Sequence, residues 1–227
     1  MNEKEMSAEE TENLRSQYEE QIAEDEFHHG TSRIYSDLCT DVFKCTRCDL
    51  GCEKLLDGHD PHVMGQGNPK SRVMFVAEAP GLQETINKQP LTSTGTSGKL
   101  YEKVLKALGY EFRDDVYTTN IILCRPPKNR DPEPWEILKC KGFLQRQIQM
   151  VEPKLIVTFG RLAAQVFLGS FKITKEHGKL RDSEQYKVKV FPLYHPAYVQ
   201  AYSKNKMAEF KEDVKKLKEI LVEMELA

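Results

Sequence analysis

Four cysteines, Cys45, Cys48, Cys124 and Cys140, have the type and spacing to hold an inorganic centre. Cys45-Thr46-Arg47-Cys48 is a Cys-x2-Cys pair. Two intervening residues let both thiolates point at one ion or cluster from a single turn. Cys124 and Cys140 form a second pair with fifteen residues between them. Four thiolates suit zinc or an iron–sulfur cluster, and the wide second spacing fits neither a zinc ribbon nor a ferredoxin run. The plain alternative is a set of buried thiols packing as small hydrophobes. Cys39 and Cys52 are left over, and Cys52 is near enough to Cys48 to be a rival ligand. Six cysteines in 227 residues, with no basic start and apolar stretch of a secretory signal, argue for metal or reactivity rather than a disulfide framework.

A second set of polar residues follows short apolar runs. Glu78-Ala79-Pro80-Gly81 and Glu84 come after Val73–Ala77, Asn120 ends a β-branched stretch, and His195-Pro196-Ala197-Tyr198 comes after Val188–Leu193. Each has a bland reading: a charge at a helix start, a turn partner, a structural histidine. Gathered at one face of a parallel sheet they make a candidate site. Gly95-Thr96-Ser97-Gly98-Lys99 is not a Walker motif, because Leu100 replaces the required Ser or Thr. It can still present backbone N–H groups to a phosphate at a helix start, with Ser97 and Lys99 beside them. His59-Asp60-Pro61-His62 reads as a surface turn.

These residues need a scaffold. Val73–Ala77, Val116–Leu123, Leu155–Phe159 and Val188–Leu193 read as strands, the first of them ending in a loop at Ala79-Pro80-Gly81. Leu100–Leu108 (stopped by Gly109), Trp135–Met150 and Leu162–Leu168 read as helices. Met207, Phe210, Val214, Leu217, Leu221 and Met224 recur at helical spacing and predict a final amphipathic helix. Strands alternating with helices predict an α/β fold with a parallel sheet covered on both faces, where ligands collect at the carboxyl ends of the strands. The expected organisation is an acidic arm over 1–30, a main domain over 31–203, and the last helix over 204–227 packed on the same domain.

Net charge is −2, which alone does not mark a nucleic-acid binder. Residues 1–30 hold ten Asp or Glu against Lys4 and Arg15, so the remainder carries about +6. A mildly basic body is compatible with a phosphate-facing surface. No run approaches the ~18 apolar residues of a membrane span, so a soluble cytoplasmic protein with no membrane partner is expected.

Taken in order, Cys45-x2-Cys48, Gly67-Asn68-Pro69, Glu78-Ala79-Pro80-Gly81, Thr119-Asn120-Ile121, Cys124-Arg125-Pro126-Pro127, Asn129-Arg130, Cys140, Gln147-Ile148, Pro153-Lys154-Leu155-Ile156, Gly160-Arg161 and His195-Pro196-Ala197-Tyr198 form a specific series. Over about residues 40–200 the chain resembles the family 4 uracil-DNA glycosylases, the iron–sulfur, thermostable type. The resemblance implies a three-layer αβα sandwich around a four-stranded parallel sheet. It implies a structural [4Fe–4S] cluster on Cys45, Cys48, Cys124 and Cys140. It implies hydrolysis of the N-glycosidic bond of deoxyuridine in single- or double-stranded DNA, by a nucleoid-associated monomer. His195 would donate to uracil O2, and Asn120 would read the base edge. Glu78, Ala79, Pro80 and Gly81 would cradle the base, and Glu78 or Glu84 would position water or stabilise the cationic sugar. Pro196, Ala197 and Tyr198 would enter the minor groove. The chain departs from the family at Ala77 (usually Gly), at Glu84-Thr85 (often Glu-Asp), and at Leu91, where the family carries a Phe that stacks on uracil. Leu91 motivates the alternative, a non-catalytic or altered-specificity DNA-binding relative.

Overall fold

A computed structural model describes residues 33–52, 60–111, 113–201 and 204–226. The acidic arm predicted over 1–30 lies outside the described residues. Residues 33–43 form helix α1, followed by α2 (Asp49–Cys52). Next come β1 (Gln66–Gly67), β2 (Val73–Ala77), α3 (Leu82–Asn87), α4 (Thr96–Leu108), β3 (Tyr117–Asn120), α5 (Pro134–Val151), β4 (Leu155–Phe159) and α6 (Arg161–Leu168). The chain continues through α7 (Ile173–Glu176), β5 (Arg181–Ser183), β6 (Val188–Leu193), α8 (Pro196–Ala201) and α9 (Lys204–Glu223).

The sheet order is β1-β3-β2-β4-β6-β5. The pairs β3–β2, β2–β4 and β4–β6 are parallel, which gives the expected four-stranded core. The sheet has six strands rather than four, because β1 and β5 add short antiparallel edges. Both faces of the sheet are covered, so β2 and β4 are buried at every position and read as continuous apolar runs. Alternate side chains go to opposite layers. Phe75, Val157, Phe159 and Phe191 pack with Leu100, Tyr101, Val104, Phe210, Leu217 and Leu221 of α4 and α9. Met74, Val76, Ile156 and Val190 face Leu144, Met150, Ala163 and Phe167 of α5 and α6. The helical stripe predicted at the C-terminus is therefore the buried face of α9.

The loop expected at Ala79-Pro80-Gly81 is present and leads into the short helix α3. One local reading changes. His62 is no surface turn residue. It is 4 % exposed, bridges Cys124 in an antiparallel pair, and its Nδ1 contacts Asp60 Oδ1 at 2.5 Å. Among the described residues no helix is long and apolar enough to cross a membrane.

Candidate active site

The parallel strands end side by side. Asn120 closes β3 opposite Ala77, Glu78 follows β2, Gly160 follows β4 and His195 follows β6 by one residue. Neighbouring strands lie ~4.8 Å apart, so the row from Asn120 to His195 spans about 14 Å of sheet edge. Glu78, Asp131, Gly160, Arg161, Tyr194, His195 and Tyr198 help line a cleft of ≈ 330 Å³ there.

The state of His195 follows from its surroundings. Its Nδ1 accepts the Ala197 backbone N–H at 3.2 Å. An accepting Nδ1 carries no proton, so the neutral ring holds its proton on Nε2. Burial pushes the imidazole down to about 4, against the opposing pull of the Asp131 carboxylate. His195 is thus neutral at pH 7 and a donor through Nε2. The turn is held because the His195 carbonyl accepts the Val199 N–H in the first turn of α8. Tyr198 stacks on Tyr194 with centroids 5.5 Å apart.

Glu78 reaches across to the start of α6. Its Oε1 accepts the Leu162 N–H at 2.9 Å, and the Arg161 N–H also bonds the carboxylate. Burial is the main effect on its pKa and raises it, and Asp131 adds to the rise. This approach requires Gly160, whose φ is +94° and whose added Cβ would lie 2.3 Å from Glu78 Oε1. Gly160→Ala is therefore expected to destabilise the fold by about 2–4 kcal/mol and to displace Glu78. Denaturant titration checks the first effect, and a crystal structure of the variant checks the second.

Asn120 and Glu84 form a buried pair beside the cleft rather than in its lining. Asn120 Nδ2 lies 3.4 Å from Glu84 Oε2, while Asn120 Oδ1 is buried with no partner. Glu84 also accepts the backbone N–H groups of Leu91 and Gly81, and faces the Arg113 guanidinium. Burial outweighs these contacts and raises its carboxyl to about 7. A carboxylic acid whose folded pKa exceeds its unfolded value loses stability as pH rises from about 4.5 towards 7. The full cost, of order 3 kcal/mol, applies above pH 7. Glu84→Gln removes that titration. Its melting temperature relative to wild type should shift upwards between pH 5 and pH 8, a change differential scanning calorimetry resolves.

Leu91 does not present its side chain to this region. It is 1 % exposed and packs in the core with Phe75, Tyr101 and Leu193. Its φ of +48° is unusual for a branched residue. Arg113 holds the turn by donating to the Pro90 and Leu91 carbonyls at 2.5 and 2.9 Å.

The cysteines gather elsewhere, where α1, α2 and α5 meet the end of β3. Leu50, Ile122 and Cys124 pack with Cys48, Ile137 and Cys140. Cys45 and Cys140 border a second small cluster formed by Leu38, Val42, Met64, Leu123 and Phe143. Burial pushes the Cys124 thiol up, and the neighbouring Cys140, Cys48 and Cys45 add to the rise. Burial likewise pushes Cys140 up to about 12, with Cys45 and Cys48 contributing. Four thiols that repel one another as thiolates lie close together, a donor set that suits zinc or an iron–sulfur group. Among the described residues no His, Cys, Asp and Glu side chains group closely enough to hold a single metal ion. Cys39 bonds Tyr35 instead, and the side chain of Cys52 lies outside the described residues. The cation–π contact of Arg47 with Phe143 at 4.4 Å and the Arg146–Asp41 ion pair at 2.5 Å fasten this segment to α5.

Ser97 and Lys99 lie in the first turn of α4, and Gln200 Nε2 donates to the Thr96 carbonyl at 3.2 Å. The start of α4 and helix α8 therefore form one edge that includes Pro196, Ala197 and Tyr198.

Residues 64–218 match the uracil DNA glycosylase superfamily. The chain belongs to that superfamily. A type-4 uracil-DNA glycosylase of Archaeoglobus fulgidus is 39% identical over 191 residues, covering 81% of this chain and 92% of the relative. That of Saccharolobus solfataricus is 38% identical, covering 81% and 85%, and that of Thermotoga maritima is 36% identical, covering 79% and 91%. In this superfamily member, sequence reasoning had not singled out Asp131 or Tyr194 in the cleft. Arg161 had a signal, since it comes after Gly160, the glycine that follows β4. Asp131 had none, because it sits in the irregular loop before α5.

Proposed function

We propose that this chain excises uracil from DNA, with His195 as the donor to the departing base. The observation that carries the reading is the Ala197 N–H on His195 Nδ1, which leaves a neutral imidazole offering Nε2–H at the end of the central sheet. A base stacked in a duplex cannot reach such a group, so the nucleotide must be flipped out. The C1′–N1 bond then breaks with its electron pair going to uracil, and charge grows on O2. A fixed neutral donor stabilises that anion more in the transition state than in the ground state. Full protonation of His195 is not required, because uracil leaves as the anion. We assign the Glu78 carboxylate to stabilise the positive charge that develops on the sugar or to hold the water that adds to C1′. Asn120 reads the base through an amide that can both accept and donate. Ala79, Pro80 and Gly81 are assigned to the backbone that cradles the base. The edge formed by Ser97, Lys99, Pro196, Ala197 and Tyr198 is assigned to the DNA, single- or double-stranded, bound by one copy of the chain.

We assign Cys45, Cys48, Cys124 and Cys140 to a [4Fe–4S] cluster. The proximity of the four thiols and the resemblance to the iron–sulfur glycosylases support this. Held there by the four cysteines, such a group would tie the 45–48 loop to the end of β3 and to α5.

The test is release of uracil from an oligonucleotide carrying one deoxyuridine, read as an alkali-labile abasic site. The core position of Leu91 favours a second reading, an altered relative that binds DNA without efficient excision. Tight binding with no abasic product from cluster-loaded protein would select it.

A further inference from the structure

We infer that Glu84 is a positioning residue that fixes the orientation of the Asn120 amide and thereby sets uracil over cytosine. This rests on the glycosylase reading of the site. The geometry has three parts. Asn120 is 1 % exposed, and its Nδ2 faces Glu84 Oε2 at 3.4 Å. Its Oδ1 is buried and has no partner. Glu84 is itself 9 % exposed, and it is held by the N–H groups of Leu91 and Gly81 and by the charge of Arg113.

An ionised carboxylate only accepts hydrogen bonds. It therefore holds the NH2 end of the amide towards itself and leaves Oδ1 as the free end. A buried carbonyl oxygen without a donor costs about 1–3 kcal/mol, so the site is built to receive an N–H. Uracil supplies one at N3, and its O4 can accept the second Nδ2 hydrogen. Cytosine presents a bare N3 and an amino group, so the same amide meets it acceptor to acceptor and donor to donor. Flipping the amide would suit cytosine, but would turn Oδ1 towards the Glu84 carboxylate. Arg113 extends the chain of constraint, since it also holds the Pro90 and Leu91 carbonyls whose turn delivers the Leu91 N–H to Glu84.

Glutamine at position 84 has both a donor and an acceptor, so it supports either amide orientation. The test compares equilibrium binding of oligonucleotides carrying one 2′-fluoro-deoxyuridine or one 2′-fluoro-deoxycytidine, whose glycosidic bonds resist cleavage. Wild type, Glu84→Gln and Glu84→Ala are measured at pH 8, where the carboxylate is charged. Wild type should prefer the uracil probe, and both variants should lose that preference by about tenfold or more, with cytosine binding gained by the Gln variant. A preference unchanged within about twofold in both variants overturns the inference, even if excision falls. So does a wild type with no preference. Because binding is read without cleavage, a wild type that discriminates but releases no uracil would refute the glycosylase reading and leave this inference standing.

Discussion

His195→Ala should lower the single-turnover rate of uracil excision by about 10²–10³-fold while leaving DNA affinity within a few-fold. That range is the cost of removing one preorganised donor to a developing oxyanion. The substitution removes Nε2–H but not the backbone that binds DNA, because the turn is also held by the Val199 N–H on the residue 195 carbonyl. Rapid-quench kinetics with enzyme in excess, beside fluorescence anisotropy for binding, separates the two. Full excision by the variant would remove the histidine from the mechanism. The neutral ring also has a cost for the fold. A histidine whose folded pKa lies below its unfolded value loses stability as pH falls from about 6.5 to about 4. In the window from about 4.5 to 6.5 this slope opposes that of Glu84.

Cys124→Ser should release the cluster iron and lower the melting temperature by roughly 8–16 °C. Loss of a metal tie costs ~4 kcal/mol, and each kcal/mol moves the midpoint by about 2–4 °C at this chain length. Cys39→Ser is the internal control. Cys39 packs beside Cys45 and Cys140 on the cluster around Leu38 and Phe143, but its thiol bonds Tyr35, so the variant should keep its iron and visible absorption. Iron analysis of both proteins, purified without air, decides the assignment. Equal iron in the two would show that Cys124 is not a ligand. Iron loss from both would widen the ligand set.

The contrast between the two cysteines shows what the sequence could reveal. Cys45-x2-Cys48 is visible as a pair, but only folding brings Cys124 and Cys140 to it. The four parallel strands were legible because burial on both faces writes a continuous apolar run. The edges β1 and β5 were not, since two- and three-residue strands leave no periodicity and depend on a neighbour to pair with. Strand β3 stops at Asn120, short of the expected Leu123. Beyond it the Ile121 and Ile122 N–H groups still reach the Ala77 and Glu78 carbonyls before the chain turns to pair with His62. At the site, Glu78 and His195 were readable from their places after strands. The burial of His62 was not, because Asp60 satisfies its Nδ1 through a contact that spacing across a proline does not announce. Leu91 was readable as a departure but not as a core residue, since its left-handed backbone is imposed by Arg113, twenty-two residues away.

The proposed chemistry needs the His195 proton on Nε2. A ¹⁵N spectrum of histidine-labelled protein at pH 6, assigned by His195→Ala, reads that proton directly. The predicted result is a neutral ring with a protonated Nε2 and a bare, accepting Nδ1. A doubly protonated ring at pH 6, or a neutral ring with its proton on Nδ1, would contradict His195 as the neutral donor to uracil.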